Sequence, residues 1–367
     1  MTGGLPMAAP AQRPPLDRVG ALRWLRVNLF SGPLNTLLTL VTFGAIALVV
    51  PAVLRWAVVD AVWRSADPAV CRAAAGACWA VVAEKHRLML FGLYPHAEHW
   101  RPVAATVLYV AAVALTCWPG SWRRIVLVPL WTVTVAVFLV LMLGGALGLS
   151  LVETREWGGL PLTVVVFTAT VMMALPLGII LALGRRSRLP LIRTAAIGLI
   201  EIVRGVPLVT VLFCAAVVFP LFLPPGWDVD KLVRVLVAMG IFYGCYFAEV
   251  IRGGLQAIPK GQHEAAASLG LSYWQSTRKI VLPQALRVVI PGLMNHVISV
   301  FKNSTLVIVV GLFDMLYATT AAIADPLWIA FYTEGYLFVG AIYFLGCWAM
   351  SRYSQFIERR LARGRSY

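Results

Sequence analysis

The sequence predicts an all-α integral membrane protein with about eight transmembrane helices, and three observations carry that prediction. Of 367 residues, 60% are hydrophobic and only 13% charged, a balance outside the range of water-soluble domains. Mean hydropathy is +0.83, and the apolar residues gather in runs of around 20, the length that crosses a bilayer. The formal net charge of +15 is concentrated at the ends of those runs, as the positive-inside rule requires. It forms no basic stripe interleaved with aromatics, so nucleic acid is excluded as a partner.

Taken in order, residues 1–33 are Pro-rich and then basic, with Arg13, Arg18, Arg23 and Arg26, and read as a disordered tail. The next run, from Leu34, is too extended for the core of a cleaved signal and reads as an anchor. Spans are drawn at 34–54, 103–118, 125–149, 160–183, 195–222, 232–252, 287–312 and 335–351. Between the first two lies an outer loop, 60–101, whose stretch 84–95 reads as an amphipathic helix in the headgroup layer. Cys71 and Cys78 share that loop and pair if it faces an oxidising compartment, although the sequence assigns the pair no role. Short loops on one side hold Arg123 and Arg124, then Arg185, Arg186, Arg188 and Arg193; those on the other hold mainly Asp228, Asp230, Asp314, Asp325 and Glu334. Both termini, including the tail 356–367, are therefore placed in the cytoplasm.

The most informative stretch is the polar loop 261–283. Glu264 to Leu269 reads as a short helix rich in alanine, which Gly270 ends by entering the left-handed conformation. Ser272 and Gln275 form a capping box for a second helix, and Pro283 is expected to end it. A short exposed helix with small residues suits docking into a groove on a partner.

Glu264, Ala265, Ala266, Gly270, Ile280, Leu282 and Pro283 reproduce the spacing of the EAA signature, and here the chain resembles the permease subunits of ABC importers. Segments WGGLPLT (157–163), ALPLGIILALGRRS (174–187), EIVRGVPLVTVLF (201–213) and FKNSTLV (301–307) resemble the polar and general amino-acid branch of that family. The resemblance implies a type I permease core over 157–355, built from the last five spans, with 34–156 as an N-terminal membrane extension. It also implies that the loop 261–283 is the coupling helix that docks on the ATP-hydrolysing subunit. The implied partners are an ABC ATPase dimer, a second permease subunit, a periplasmic amino-acid-binding protein and the amino-acid substrate, in a bacterial inner membrane.

Ionisable groups at membrane depth are the remaining candidates. Lys302 stands in an apolar span and either meets a substrate carboxylate, with Asn303, Ser304 and Thr305 as hydrogen-bonding neighbours, or pairs with a carboxylate on a neighbouring helix. Glu201 with Arg204, and Glu249 with Arg252, repeat one pattern at i, i+3. The first pair reads as a local ion pair; for Glu249, local pairing and a gate network stay open. Gly205 and Pro207 are expected to break or bend their helix, as at transport sites.

The histidines form no ligand-like set, so no metal is expected. No catalytic motif and no phosphate-binding loop are present, so if transport is ATP-driven a separate subunit must supply hydrolysis, and this chain is expected to bind no cofactor. The alternatives are an ATP-independent secondary amino-acid transporter, opposed by the scarcity of intramembrane carboxylates, and an accessory structural subunit.

Overall fold

The structure is a computed structural model that describes residues 20–363. The described residues are almost wholly helical, with seven helices long and apolar enough to cross a membrane, or eight where the one bent pair counts as a span. The two ends beyond these residues, with most of the expected N-terminal tail, lie outside the described residues.

The chain divides into two compact units, Met1–Trp79 and Ala80–Tyr367. In the first, α1 (Ala21–Asn28) precedes the long α2 (Pro33–Leu54). Residues 21–28 are thus helical, not part of a disordered tail. Leu22 and Leu25 at i, i+3, with Arg23 and Arg26 one position on, give that stretch two faces. After α2 come a π-helical turn (Arg55–Val59) and α3 (Pro68–Ala73). Cys71 and Cys78 are joined by a disulfide, so the pair that the sequence left without a role closes this segment covalently. Ala77 N–H donates to the Trp56 carbonyl at 2.8 Å and Trp79 Nε1 to that of Ala57 at 2.7 Å, which leaves the two cysteines face to face.

The second unit is built around α7 (Gly159–Arg185) and α10 (Lys231–Gln256). Before α7 come α4 (Ala80–Phe91), α5 (Trp100–Cys117) and α6 (Arg124–Leu143); between α7 and α10 lie α8 (Pro190–Gly205) and α9 (Leu208–Phe213). Apolar side chains alone do not hold helices together in lipid; close backbone approach does. Gly178 on α7 and Gly240 and Gly244 on α10 supply it: a Cβ on Gly178 would stand 2.7 Å from Phe247 Cβ, and one on Gly244 2.7 Å from Leu177. Gly178→Val is therefore expected to destabilise the chain by about 1–3 kcal/mol or more, as overpacking does. Membrane accumulation and melting in detergent check it, with Gly198→Ala, which meets nothing within 4 Å, as the unaffected control.

Arg101, which counts by sequence as an outer-loop charge, is fully buried. Its Nε donates to the Leu141 carbonyl at 2.6 Å, its Nη1 to the Ser150 carbonyl at 2.9 Å, and the Glu98 carboxylate lies at 3.7 Å. A guanidinium can be buried only with such partners, and these tie α5 to the end of α6. The helix expected in the headgroup layer exists as α4, but Val81 and Met89 are fully buried. Met89 packs on Ala322 and Ile323 of a later helix. Protein, not lipid headgroups, covers its apolar side.

The span 195–222 is broken where Gly205 and Pro207 are expected to break it. Its halves, Pro190–Gly205 and Leu208–Phe222, meet at 106°. Pro207 has no N–H to give and forces Val206 into an extended conformation (φ −109°, ψ 138°). Gly184, in the last turn of α7, lies against Ala196, so α8 packs against the end of α7.

After α10 come α11 (Lys260–Ser268), α12 (Tyr273–Ser276), α13 (Leu282–Asn303), α14 (Met315–Ile323) and α15 (Tyr332–Arg363). The stretch expected as a C-terminal tail is helical to Arg363, because no glycine or proline interrupts it before Gly364. Asp314 caps α14, accepting from the N–H groups of Leu316 and Tyr317. It is fully buried, and burial pushes its carboxyl up to about 6 against the lowering effect of those bonds.

A raised carboxyl pKa means that the folded state holds its proton more tightly than the unfolded one. Stability is then fullest below the ordinary pKa of 3.8 and falls as pH rises through about 6. The loss is on the order of 2–3 kcal/mol. Asp314→Asn, neutral and still able to cap, is expected to remove this part of the pH dependence of thermal unfolding measured across the window between the two values, about pH 4 to pH 7.

Candidate functional site

Two neighbouring features gather most of the residues singled out by sequence: a charge cluster where α7, α8 and α10 meet, and the loop that leads out of α10.

Glu249 is the hub of the cluster. Its carboxylate accepts from Arg185 Nη1 at 2.6 Å and from Arg252 Nη2 at 2.8 Å, with Arg204 Nη1 at 3.8 Å. Arg185 also reaches Glu201 at 3.1 Å, while Arg204 lies over the Tyr246 ring at 5.4 Å. Glu201 and Arg204 thus do not pair with each other. They share a helix, but the packing of α8 against the end of α7 offers Glu201 the nearer Arg185, and Arg204 turns to α10. The Glu249–Arg252 pair forms within α10 and is also part of the larger network. Three guanidiniums share two carboxylates, so attraction across three helices competes with repulsion among the cations, and a small shift of one helix changes which pairs form. Arg185 was missed by sequence. Its signal was an arginine at the last helical position before a basic loop.

The loop is built as two helices about a glycine. α11 ends at Gly270, whose φ of +70° is left-handed. Its N–H donates to the Ala267 carbonyl and that of Leu271 to the Ala266 carbonyl. Ser272 and Gln275 cap α12 reciprocally. A π-helical turn, Thr277–Val281, then feeds α13 without a stop. Pro283 does not end the helix, because it sits in the first turn of α13, just where the wide turn has already changed the hydrogen-bond register. Ala266 is buried, whereas Glu264, Ala265, Gly270 and Pro283 are exposed and Ile280 and Leu282 half-buried. Three large side chains that sequence reasoning passed over project from the same loop: Leu269, Tyr273 and Trp274 are 77%, 58% and 67% exposed. Their signal was the presence of apolar residues on either side of a chain-reversing glycine.

The third group lies at the end of α13. Asn303 Nδ2 donates to the Tyr243 hydroxyl on α10 at 2.7 Å. Ser304 is buried and donates to the Phe301 carbonyl; Thr305 donates to that of Lys302. Ser304 therefore faces the core, not an open path. Lys302 is exposed, and it has no carboxylate partner on a neighbouring helix among the described residues.

Residues 174–363 match the family described as "Binding-protein-dependent transport system inner membrane component". Over 347 residues the chain is 45% identical to the inner membrane amino-acid ABC transporter permease protein YhdY of Escherichia coli K12, covering 94% of each chain. It is 39% identical over 422 aligned positions to the glutamate/glutamine/aspartate/asparagine transport system permease protein BztC of Rhodobacter capsulatus, covering 96% of each. The glutamate/aspartate import permease protein GltK of E. coli is 32% identical and covers only 56% of this chain, though 92% of its own length. Among solved structures, a chain from a crystal structure of an amino acid ABC transporter with histidines has 30% identity and a TM-score of 0.48, over 54% of this chain and 90% of that one.

Proposed function

Given that the chain belongs to the family of binding-protein-dependent transport system inner membrane components and is the membrane subunit of an amino-acid ABC importer, we propose that its loop 261–283 couples transport to a separate ATPase. The observation that carries this reading is the division of the loop into an anchored side and an offered side. Ala266, Thr277 and Val281 are buried against the chain, while Glu264, Leu269, Tyr273 and Trp274 stand in solvent. Exposed apolar and aromatic side chains on a short, well-capped helix pair are what a docking surface needs. α10 and α13 continue directly from the loop, so a push on it moves both helices and the Glu249 network with them.

In this reading ATP is bound and hydrolysed only on the partner ATPase dimer, and this chain holds no cofactor. The orientation that agrees with the charge distribution places the loop and both termini in the cytoplasm. A second permease subunit completes the pathway, and a periplasmic binding protein delivers the substrate. Because YhdY and BztC share nearly the full length while GltK spans about half, a shorter, different chain suits the role of partner. The extension 34–156 is then an addition to the transport core 157–355. Lys302, exposed and with no carboxylate partner among the described residues, serves as the cation for a substrate carboxylate, with Asn303 held beside it by Tyr243. The names of the relatives favour an amino acid with a polar or acidic side chain. A secondary transporter is not favoured, since the relatives are ABC permeases.

The test is mild-detergent affinity purification of the chain from its native membrane. Recovery of an ATPase and a second chain with its own EAA-type loop is the expected result. Recovery of this chain alone, under conditions that keep other complexes whole, would overturn the coupling proposal.

A further inference from the structure

The ends of α10, α13 and α15 border a half-open cavity of about 610 Å³ that plays no part in the reading above. Ile258, Val288 and Pro291 give it apolar walls, and Arg287, Glu358 and Arg360 give it charge. Arg287 has no carboxylate partner among the described residues. The Glu358 carboxylate is engaged by the Ser354 hydroxyl of its own helix at 2.9 Å. Arg360 is held over the Trp122 ring at 4.9 Å. Two guanidiniums and one carboxylate leave the cavity with a net positive charge, next to a surface that an acyl chain can cover.

Its depth narrows the choice of ligand. α15 has 32 residues, which at roughly 1.5 Å each make about 48 Å, longer than the ~30 Å hydrocarbon layer. Glu358 and Arg360, in its last turns, therefore lie at the level of the lipid headgroups. Basic pockets between helices on the cytoplasmic side are sites for anionic headgroups, and a guanidinium fork matches phosphate oxygens.

We propose that this cavity binds the phosphodiester headgroup of an anionic phospholipid, held by Arg287 and Arg360 with an acyl chain along Val288 and Pro291. The proposal rests on the cytoplasmic placement of the loop argued above. The cavity lies at both roots of that loop, Ala257–Pro259 and Gln284–Pro291, so the lipid bridges them to α15 and makes coupling sensitive to bilayer composition.

Native mass spectrometry of the purified full-length chain tests the proposal without any need for ATP hydrolysis or uptake, so its failure is separable from failure of the coupling reading. Phosphatidylglycerol is expected to be retained at least tenfold more than phosphatidylcholine with the same acyl chains. Arg287→Gln, which removes an exposed and unpaired side chain, is expected to lose that preference with an unchanged melting temperature, and Arg188→Gln to keep it. Equal retention of the two lipids, or full retention by Arg287→Gln, would overturn the proposal. So would displacement of the lipid by millimolar inorganic phosphate, which would assign the site to free phosphate. Shielding of Arg287 from an arginine-specific reagent by the ATPase in lipid-free complexes would overturn it as well, giving the cavity to the protein partner.

Discussion

Gly270→Asp is expected to cut ATP-driven uptake at least tenfold while the chain still folds and inserts. Gly270 has φ +70°, and a Cβ there meets nothing within 4 Å. Aspartate is among the few L residues that enter the left-handed region at a cost of about 1–2 kcal/mol, so the turn survives. The added carboxylate stands at the C-terminal end of α11, where a helix disfavours negative charge, and beside Leu269 on the exposed face. The damage falls on the partner surface and not on the chain's own packing. Uptake of a labelled amino acid, stimulation of ATPase activity in proteoliposomes and immunoblotting of the membrane fraction separate the two. Glu264→Lys, which reverses an exposed charge on the same surface, is expected to act in the same direction. Normal uptake in both variants, with normal membrane levels, would show that the loop does not couple.

Neutralising Glu249 to glutamine is expected to be far more damaging than neutralising Glu201, although the two look alike in sequence. Glu249 has a side chain only 16% exposed and faces Arg185, Arg204 and Arg252; Glu201 is 56% exposed and, among the described residues, has only Arg185 within ion-pair distance. Removing one partner from a largely buried network leaves its cations uncompensated, which costs about 2–4 kcal/mol. An exposed pair contributes about 1 kcal/mol or less. Glu249→Gln should therefore lower the melting temperature of the purified chain clearly and reduce uptake, and Glu201→Gln should change the melting temperature little. Arg252→Gln added to Glu249→Gln should recover part of the loss, since it removes one of the unpaired cations; a coupling of about 1–3 kcal/mol is the size expected for residues in contact. Equal effects of Glu249→Gln and Glu201→Gln would mean that the network contributes no more than its exposed rim.

These two predictions mark where sequence reading succeeds and where it stops. The loop was legible because its signals are local. A glycine at a helix end, a capping box from Ser272 to Gln275 and a run of alanines depend only on neighbours in the chain, and the structure realises each of them. The network was legible only in part. The i, i+3 spacing correctly joins Glu249 to Arg252, but the same spacing fails for Glu201 and Arg204, because a partner on another helix came closer. Pro283 was misread for a related reason. Proline stops a helix only where its missing N–H matters, and the π-helical turn before it removes that requirement.

What the sequence determined by itself was the environment and the rhythm of the chain. Long apolar runs of this length must be helices in a bilayer, since within a single segment only a helix satisfies its own hydrogen bonds there. The break at Val206–Pro207 was likewise legible, being imposed by one residue on the next. Only the tertiary structure decided the size of the bend between α8 and the segment after Pro207, 106°, the burial of Arg101 among the carbonyls of α6 and the segment after it, and the recruitment of Arg185 to Glu249. Each depends on which helices touch, and in lipid that is settled by the fit of small residues such as Gly178 and Gly244 rather than by hydrophobicity.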